Sequence, residues 1–77
     1  MKYPLFIFHE LIIRLAEINP KIGDFSSFLP HDETYTLITD KGSLIVPTHF
    51  LQMQFENPAL INQTDLGILA QNFRLKS

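Results

Sequence analysis

Two short segments of this sequence contain residue types that could do chemistry, His9-Glu10 and His31-Asp32-Glu33. The first begins like the helical motif of zinc proteases, but that motif requires a second histidine four residues after the first, and Ile13 stands there. The second places an imidazole beside two carboxylates, which is the composition of a general acid–base group. Carboxylates that are adjacent in an exposed loop are ordinarily solvated, and no neighbouring motif orients this cluster. We therefore predict no catalytic residues and no enzymatic activity.

Metal and cofactor chemistry is limited by the rest of the composition. The chain has no cysteine, which excludes disulfides, thiolate nucleophiles and cysteine-ligated metals. His9, His31 and His49 are far apart in the sequence, and none has a second ligand at metal-binding spacing. The three glycines are isolated instead of grouped in a phosphate-binding loop. We predict neither a metal site nor a cofactor.

The N-terminal segment predicts an unusually apolar helix over residues 4–18. Its apolar residues recur with helical spacing, and Asn19-Pro20 ends the pattern. A short strand over residues 3–8 ahead of a shorter helix is the alternative, because a brief apolar run fits either period. Large uncovered apolar surfaces mark interfaces. Since Phe6, Ile7 and Ile13 widen the apolar side beyond what a small sheet covers, we predict that they mediate self-association as a homodimer.

The middle of the chain predicts a loop, a hairpin and a third strand. Residues 19–33 contain prolines, aspartates and serines, which indicates a loop with Phe25 and Phe28 tucked beneath it. The segments TYTLIT and SLIV flank DKG, a three-residue turn in which Gly42 takes the left-handed conformation. The segment HFLQMQFE then alternates, which predicts a strand with an outer polar face of Gln52, Gln54 and Glu56.

The C-terminal segment TDLGILAQNFRL predicts a second helix, capped by Thr64 and completed by Arg74 and Lys76 at its basic end. Together these elements give an α+β fold with the order α-β-β-β-α in one small domain over residues 1–77. Its small antiparallel sheet, the hairpin plus a third strand, packs against the N-terminal and C-terminal helices. The 45% hydrophobic content is sufficient for such a core.

Charge and apolar run length restrict the partner and the compartment. The N-terminal apolar run is interrupted by His9 and Glu10, so it is too short for a signal peptide or a membrane span, and we expect a cytoplasmic chain with no membrane association. A net charge of −2 does not suit a protein that neutralises a phosphate backbone. Acidic residues outnumber Lys41 in residues 22–60, which have a net charge of −4 and would attract a basic protein surface.

The C-terminal residues Gln63-Thr64-Asp65-Leu66-Gly67 resemble the opening of the first helix in helix-turn-helix DNA-binding units, where a small residue follows the leucine. That resemblance implies a nucleic-acid-binding transcriptional regulator that uses the C-terminal helix as a dimer. The turn glycine of such a unit is missing, and the segment has only Arg74 and Lys76 as cations. Nucleic-acid binding is therefore kept as the alternative function.

The leading hypothesis is a small non-enzymatic protein–protein interaction module that inhibits or modulates another protein. In size and charge the chain resembles the small inhibitors of phages and mobile elements, anti-CRISPR proteins included, and antitoxin-like partners. The polar side of the third strand offers an edge to a partner, and the acidic middle offers charge. The residues predicted to bind the partner are Asp32, Glu33, Asp40, Gln52, Gln54 and Glu56.

Overall fold

In a computed structural model that describes residues 3–76, helices pack on one antiparallel sheet whose strands are ordered β1-β2-β3-β4. The α+β class, with a helix before and a helix after the hairpin, is confirmed. Single 3-10 turns at Pro20–Ile22 and Pro58–Leu60 join some of the elements. The described elements are α1 (Leu5–Ile18), β1 (Phe25–His31), β2 (Thr34–Thr39), β3 (Gly42–Pro47), α2 (Thr48–Glu56), α3 (Gln63–Gln71) and β4 (Arg74–Leu75).

The N-terminal helix is confirmed, and the alternative strand over residues 3–8 is wrong. Pro4 precedes α1 as its N-cap, and the backbone N–H of Asn19 donates to the carbonyl of Leu15 at 2.9 Å where the helix ends. The helical spacing of the apolar residues continues without a break from the first turn, so a helix buries more of them than a strand would. Its buried side consists of Ile7, Phe8, Leu11, Ile12 and Leu15.

The third strand of the meander is β1, which lies in the segment predicted as a loop. Phe25 and Phe28 are half-buried, as expected, but they project from a strand instead of from a loop. Phe28 stacks on Phe8 of α1 with 4.2 Å between ring centroids. Pro30 and two serines hide the alternation of β1 in the sequence, and a register irregularity between Phe25 and Ser27 interrupts it further.

The hairpin is confirmed as β2 and β3, but its turn differs from the prediction. Gly42 is already the first residue of β3, and its φ is not in the left-handed region. The turn is closed by the buried hydroxyl of Thr39, which donates to the carbonyl of Ile22 at 2.5 Å and accepts the N–H groups of Lys41 and Gly42 at 3.1 Å each. The hydrogen bonds of one side-chain oxygen thus hold the turn together, and the turn does not use a left-handed glycine at position 42.

The predicted strand HFLQMQFE is wrong, because this segment forms α2. Its apolar residues alternate, but the segment is too short for the period to discriminate between strand and helix. In the helix, Leu51 and Gln54 face inward three residues apart. Pro47 lies at the N-cap of α2 and has no N–H to leave unpaired there.

The C-terminal helix is confirmed with different ends. Asn62 is the N-cap instead of Thr64, and its Oδ1 accepts the backbone N–H of Thr64 at 2.6 Å. The helix ends at Gln71, so Arg74 does not lie in its last turn. Arg74 instead pairs with Ser43, and Leu75 with Gly42, as the short strand β4.

One face of the sheet carries the core, and α1 and α3 cover that face. Leu37, Leu44 and Val46 from the hairpin join Phe8, Leu11 and Leu15 from α1 and Leu66, Leu69 and Ala70 from α3 in one buried cluster. Successive side chains in a strand point to opposite faces. The hairpin residues between these core positions therefore point to the opposite face, which no described element covers.

Candidate interaction surface

Asp32 and Glu33 form the turn between β1 and β2, where both side chains are exposed. Asp32 has a φ of 53°, a left-handed conformation that aspartate tolerates better than most residues. Its carboxylate Oδ2 lies 3.6 Å from Nδ1 of His31, and both side chains are largely in solvent. This predicted cluster is therefore a solvated turn and not an enclosed acid–base site.

Asp40 lies at the opposite end of β2 from Asp32 and Glu33. Six residues of strand separate the two turns, which is about 20 Å at the usual rise per residue. Oδ1 of Asp40 accepts the backbone N–H of Asp24 at 2.8 Å, and the N–H of Asp40 donates to the carbonyl of Asp24 at 3.1 Å. Asp40 therefore fixes the entry to β1, and the predicted acidic residues do not form one surface.

Gln52, Gln54 and Glu56 do not share the outer face of a strand, because they belong to α2. Gln54 is only 4% exposed, and its Oε1 accepts a hydrogen bond from Nη1 of Arg14 at 2.8 Å. Gln52 accepts the hydroxyl of Tyr3 at 2.5 Å and donates to the carboxylate of Glu56. Gln52 therefore connects α2 to the segment before α1, and Gln54 connects α2 to the middle of α1. Gln54 has a structural role, whereas Glu56 is exposed.

The residues predicted for self-association separate into two groups. Ile7 is 2% exposed and belongs to the core, where a second copy cannot reach it. Phe6 and Ile13 are exposed one heptad apart on the outer side of α1. Glu10 and Glu17 are also exposed on that side, so the apolar surface of α1 is narrower than the sequence predicts.

Residues 3–76 contain no group of three or more histidine or carboxylate side chains that could hold a metal ion. His9, His31 and His49 are all exposed, on α1, at the end of β1 and on α2 respectively. The chemistry-bearing residues of the sequence are therefore dispersed over the fold. The features that the fold does assemble are a set of cations, an open sheet face and a groove.

Basic residues gather at the end of the molecule that holds the turn between β2 and β3. The backbone N–H of Lys76 donates to the carbonyl of Lys41 at 2.9 Å, which joins the C-terminal strand to this turn. Arg74 lies in β4, and Lys21 lies in the 3-10 turn that leads to Gly23 and Asp24. Within the described part of the chain, no salt bridge involves any of these cations. Asp24 and Asp40 share this end, which is still net positive.

The open face of the sheet was not predicted from the sequence. Thr36 of β2 is paired with Leu29 on one side and Ile45 on the other, and these two aliphatic side chains are 59% and 60% exposed. Ile38 lies next to Thr36 on the same face. Sheets with helices on one side ordinarily present polar residues on the other. The signal was available in the sequence, because the outward positions of the hairpin include Ile38 and Ile45.

A groove continues from the open face around β3 to α3, with a volume of about 730 Å³. Ile45 and Pro47 line it on the sheet side, and Ile68 and Leu69 line it on the side of α3. Asp65 lies in the first turn of α3, and Arg74 lies beyond the C-terminal end of that helix. Among the described residues that line the groove, these two are the charged ones. The groove therefore has aliphatic residues on both sides, with polar residues such as Thr36 and Gln71 among them, and it has opposite charges toward the two ends of α3.

In this structure the C-terminal helix does not carry the cations that the nucleic-acid alternative requires. The described residues of α3 include Asp65 and no lysine or arginine, because Arg74 and Lys76 lie in and after β4. A helix without cations offers no phosphate contacts of the kind that position DNA-binding helices. Any contact with phosphate would have to use the basic end of the sheet instead.

Comparison with known proteins gives no relative from which a function could be transferred: no protein-family model, no curated protein and no solved structure matches this chain. Among the described helices, none has both the length and the apolar character that a membrane crossing requires. The cytoplasmic location expected from the sequence stays a prediction.

Proposed function

We propose that this chain is a non-enzymatic protein-interaction module that binds a partner through the open sheet face and the adjoining groove between β3 and α3. The observation that carries the proposal is the exposure of Leu29 and Ile45 on either side of Thr36, on a face that no element within residues 3–76 covers. Exposed contiguous apolar patches on small proteins mark interaction sites. Binding at such a site would block or alter the partner surface that it covers, which is the inhibitory role expected from the sequence.

The chemistry of this surface favours a partner different from the one expected from charge alone. The expected basic partner depended on an acidic middle, but Asp32 and Glu33 lie at the opposite end of β2 from Asp40. Among the described residues whose side chains point to the open face, Arg74 is the one lysine, arginine or carboxylate, and it lies at the corner, where it pairs with Ser43. An apolar partner surface with a carboxylate near that corner would fit best, because no charge on the open face would then be buried unpaired.

The proposal is tested by retention of a partner from extracts of the source cell on immobilised protein. We expect the wild-type chain to retain a specific protein, and an Ile45→Lys variant to lose it, because a lysine at the centre of the interface would be desolvated. The matched control is Leu60→Lys, which places a lysine at an exposed aliphatic position in the 3-10 turn Pro58–Leu60, outside both proposed surfaces. Retention that survives Ile45→Lys, or that disappears equally in Leu60→Lys, would contradict binding through this face.

Nucleic-acid binding is the second candidate, and the gathering of Lys21, Lys41, Arg74 and Lys76 at one end supports it. It would use the sheet end and not α3. The expected result is binding of single-stranded or duplex DNA that weakens steeply with salt and that is lost in Arg74→Glu. A flat anisotropy titration at low salt, or nuclease-insensitive retention of the protein partner, would reject this candidate.

A further inference from the structure

The free edge of β3 is the starting point for a more specific inference. The strand β4 pairs with β3 only at Gly42 and Ser43, so residues 44–47 have no partner strand on that side among residues 3–76. An unpaired edge presents backbone donors and acceptors to any extended segment placed beside it. In this part of β3 the residue without an N–H is Pro47, the last of the strand. The opposite edge of the sheet, β1, lacks an N–H at Pro30 and is also interrupted by a register irregularity near Phe25, so it is less suited to pairing.

The groove beside this edge has apolar residues that an added strand would cover. Ile45 lines it on the side of β3 and Ile68 lines it on the side of α3, and both are exposed, whereas the lining residues Leu44 and Leu69 are buried. Ile68 is exposed although it lies on a helix that packs on the core, so its side chain has no described cover. A segment in the groove would bury both isoleucines while its backbone pairs with β3.

The direction and the end of such a segment follow from β4. All strand pairs in the sheet are antiparallel, and a segment that continued this pattern would run from Pro47 toward Ser43. At Ser43 the next pairing position is already occupied by Arg74. A long strand would therefore collide with Phe73 and Arg74, whereas a chain that ends at this point would fit.

The charges at the two ends of the groove agree with a segment that ends there. Arg74 pairs with Ser43, whose side chain shares the outward face with that of Ile45, and Arg74 lines the groove. A terminal carboxylate at this position would meet an arginine without a salt bridge in the described structure, and Lys76 lies nearby. Asp65 near the other end would favour a basic residue farther upstream in the bound segment.

We propose that the groove between β3 and α3 binds the free C-terminal tail of a partner protein, in extended conformation, with its terminal carboxylate at Arg74 and aliphatic side chains between Ile45 and Ile68. This inference rests on the proposed function and specifies the partner segment. It requires no covalent step, and the affinity would come from strand pairing, apolar burial and one charge-assisted contact.

The test is selection of binders from a library of random heptapeptides displayed with a free C-terminus, followed by anisotropy titration of a labelled synthetic representative. We expect enriched peptides with aliphatic residues near the end, and an affinity that falls about tenfold or more when the peptide is amidated. Arg74→Glu and Ile68→Asp should each cause a comparable loss, whereas Leu60→Asp, at an exposed leucine outside the groove, should not. Circular dichroism of the variants separates lost binding from lost folding.

Each other outcome overturns the tail-binding proposal in a distinguishable way. Absence of enrichment, or binding that is indifferent to both amidation and Ile68→Asp, shows that the groove does not take a C-terminal tail. Binding that depends on Arg74 but not on the free carboxylate indicates an internal acidic segment. Binding of a dT oligonucleotide without peptide binding indicates a polyanion. If the tail peptides fail while Ile45→Lys still abolishes partner retention, the open face binds a folded surface, and the proposed function survives.

Discussion

Gly42 and Gly67 show that residue-level consequences depend on what surrounds the backbone. A Cβ at Gly42 would collide with the backbone carbonyl oxygen of Arg74 and would lie 2.8 Å from Cζ of Phe73. At Gly67, in the middle of α3, nothing lies within 4 Å of the corresponding position. The first glycine is therefore required by the close approach of β4, whereas the second only weakens a helix.

Substitution of these two glycines should have opposite effects on stability. We expect Gly42→Ala to lower the free energy of unfolding by about 1–3 kcal/mol, because β4 must move away from β3. Gly67→Ala should raise it by about 0.5–1 kcal/mol, because alanine loses less backbone entropy in a helix. Urea denaturation of both variants measures the difference. Equal stability of wild type and Gly42→Ala would show that β4 does not pack as described.

Tyr3 supplies a residue-level prediction about pH. Burial of its phenol, together with the nearby Tyr35 and the carboxylate of Glu56, raises the pKa of Tyr3 above its ordinary value of 10.0. The unfolded chain therefore loses this proton first as the pH rises, so the contribution of Tyr3 to stability is complete below that value and is lost as the pH passes through the folded pKa.

We expect the free energy of unfolding to fall between roughly pH 8 and pH 11, and the fall to be smaller in Tyr3→Phe. The variant also loses the hydrogen bond from the Tyr3 hydroxyl to Gln52, which changes its stability at every pH. The stability of each protein at high pH is therefore compared with the stability of the same protein at the lower pH. Urea midpoints at the two pH values give the comparison. An identical slope in wild type and variant would contradict a raised pKa of Tyr3.

At the scale of elements, the N-cap of α3 is a different residue in the structure from the one that the sequence pattern predicts. Both Asn62 and Thr64 belong to the residue types that cap helices. Of these two side chains, only that of Asn62 accepts a backbone hydrogen bond in the described structure, from the N–H of Thr64. Thr64 itself lies in the first turn of the helix and is exposed.

Alanine substitution at these two positions should therefore have unequal effects. We expect Asn62→Ala to destabilise the protein by about 1 kcal/mol, because one N–H at the helix start loses its acceptor. Thr64→Ala should change the stability by less than about 0.5 kcal/mol, as for ordinary surface positions. Thermal or urea unfolding distinguishes the two. A larger loss of stability in Thr64→Ala than in Asn62→Ala would indicate that Thr64 caps the helix, as the sequence predicts.

At the scale of the whole molecule, the fold redistributes charge and apolar surface. The sequence places the excess of acid in the middle of the chain, but the structure disperses those carboxylates between the two ends of the sheet and α2. Four cations that are scattered in the sequence, Lys21, Lys41, Arg74 and Lys76, gather beside the turn between β2 and β3. Long-range attraction of a partner therefore depends on the net positive end of the sheet as well as on the overall charge of −2.

Self-association is a prediction at this same scale. If the outer side of α1 forms a homodimer, the double variant Phe6→Ser with Ile13→Ser should sediment as a monomer at concentrations where the wild type is a dimer. The reason is that both side chains are exposed on α1, whereas Ile7 is already in the core. Sedimentation velocity at tens of micromolar measures this. A wild-type chain that remains monomeric would remove α1 as a self-association surface.

The sequence by itself determined the elements whose local pattern is unambiguous. Fourteen residues of helical spacing specify α1, turn formers between two β-forming runs specify the hairpin, and Asp65 with the apolar spacing that follows specifies most of α3. Local backbone preferences and side-chain periodicity are sufficient for such segments. The α+β class follows from these elements and their order.

Only the tertiary structure decided the rest, because contacts between distant residues outweigh weak local preferences. Stacking of Phe28 on Phe8 makes residues 25–31 an outer strand, and the bond between Gln54 and Arg14 belongs to a helix where alternation predicted a strand. The groove exists because β4 pairs with only the first two residues of β3 and leaves the rest of that edge uncovered, while α3 lines the other side of the groove. The alternation of the hairpin places Ile38 and Ile45 on one face, but packing decides which face the helices cover and which charges meet, and no local pattern encodes that packing.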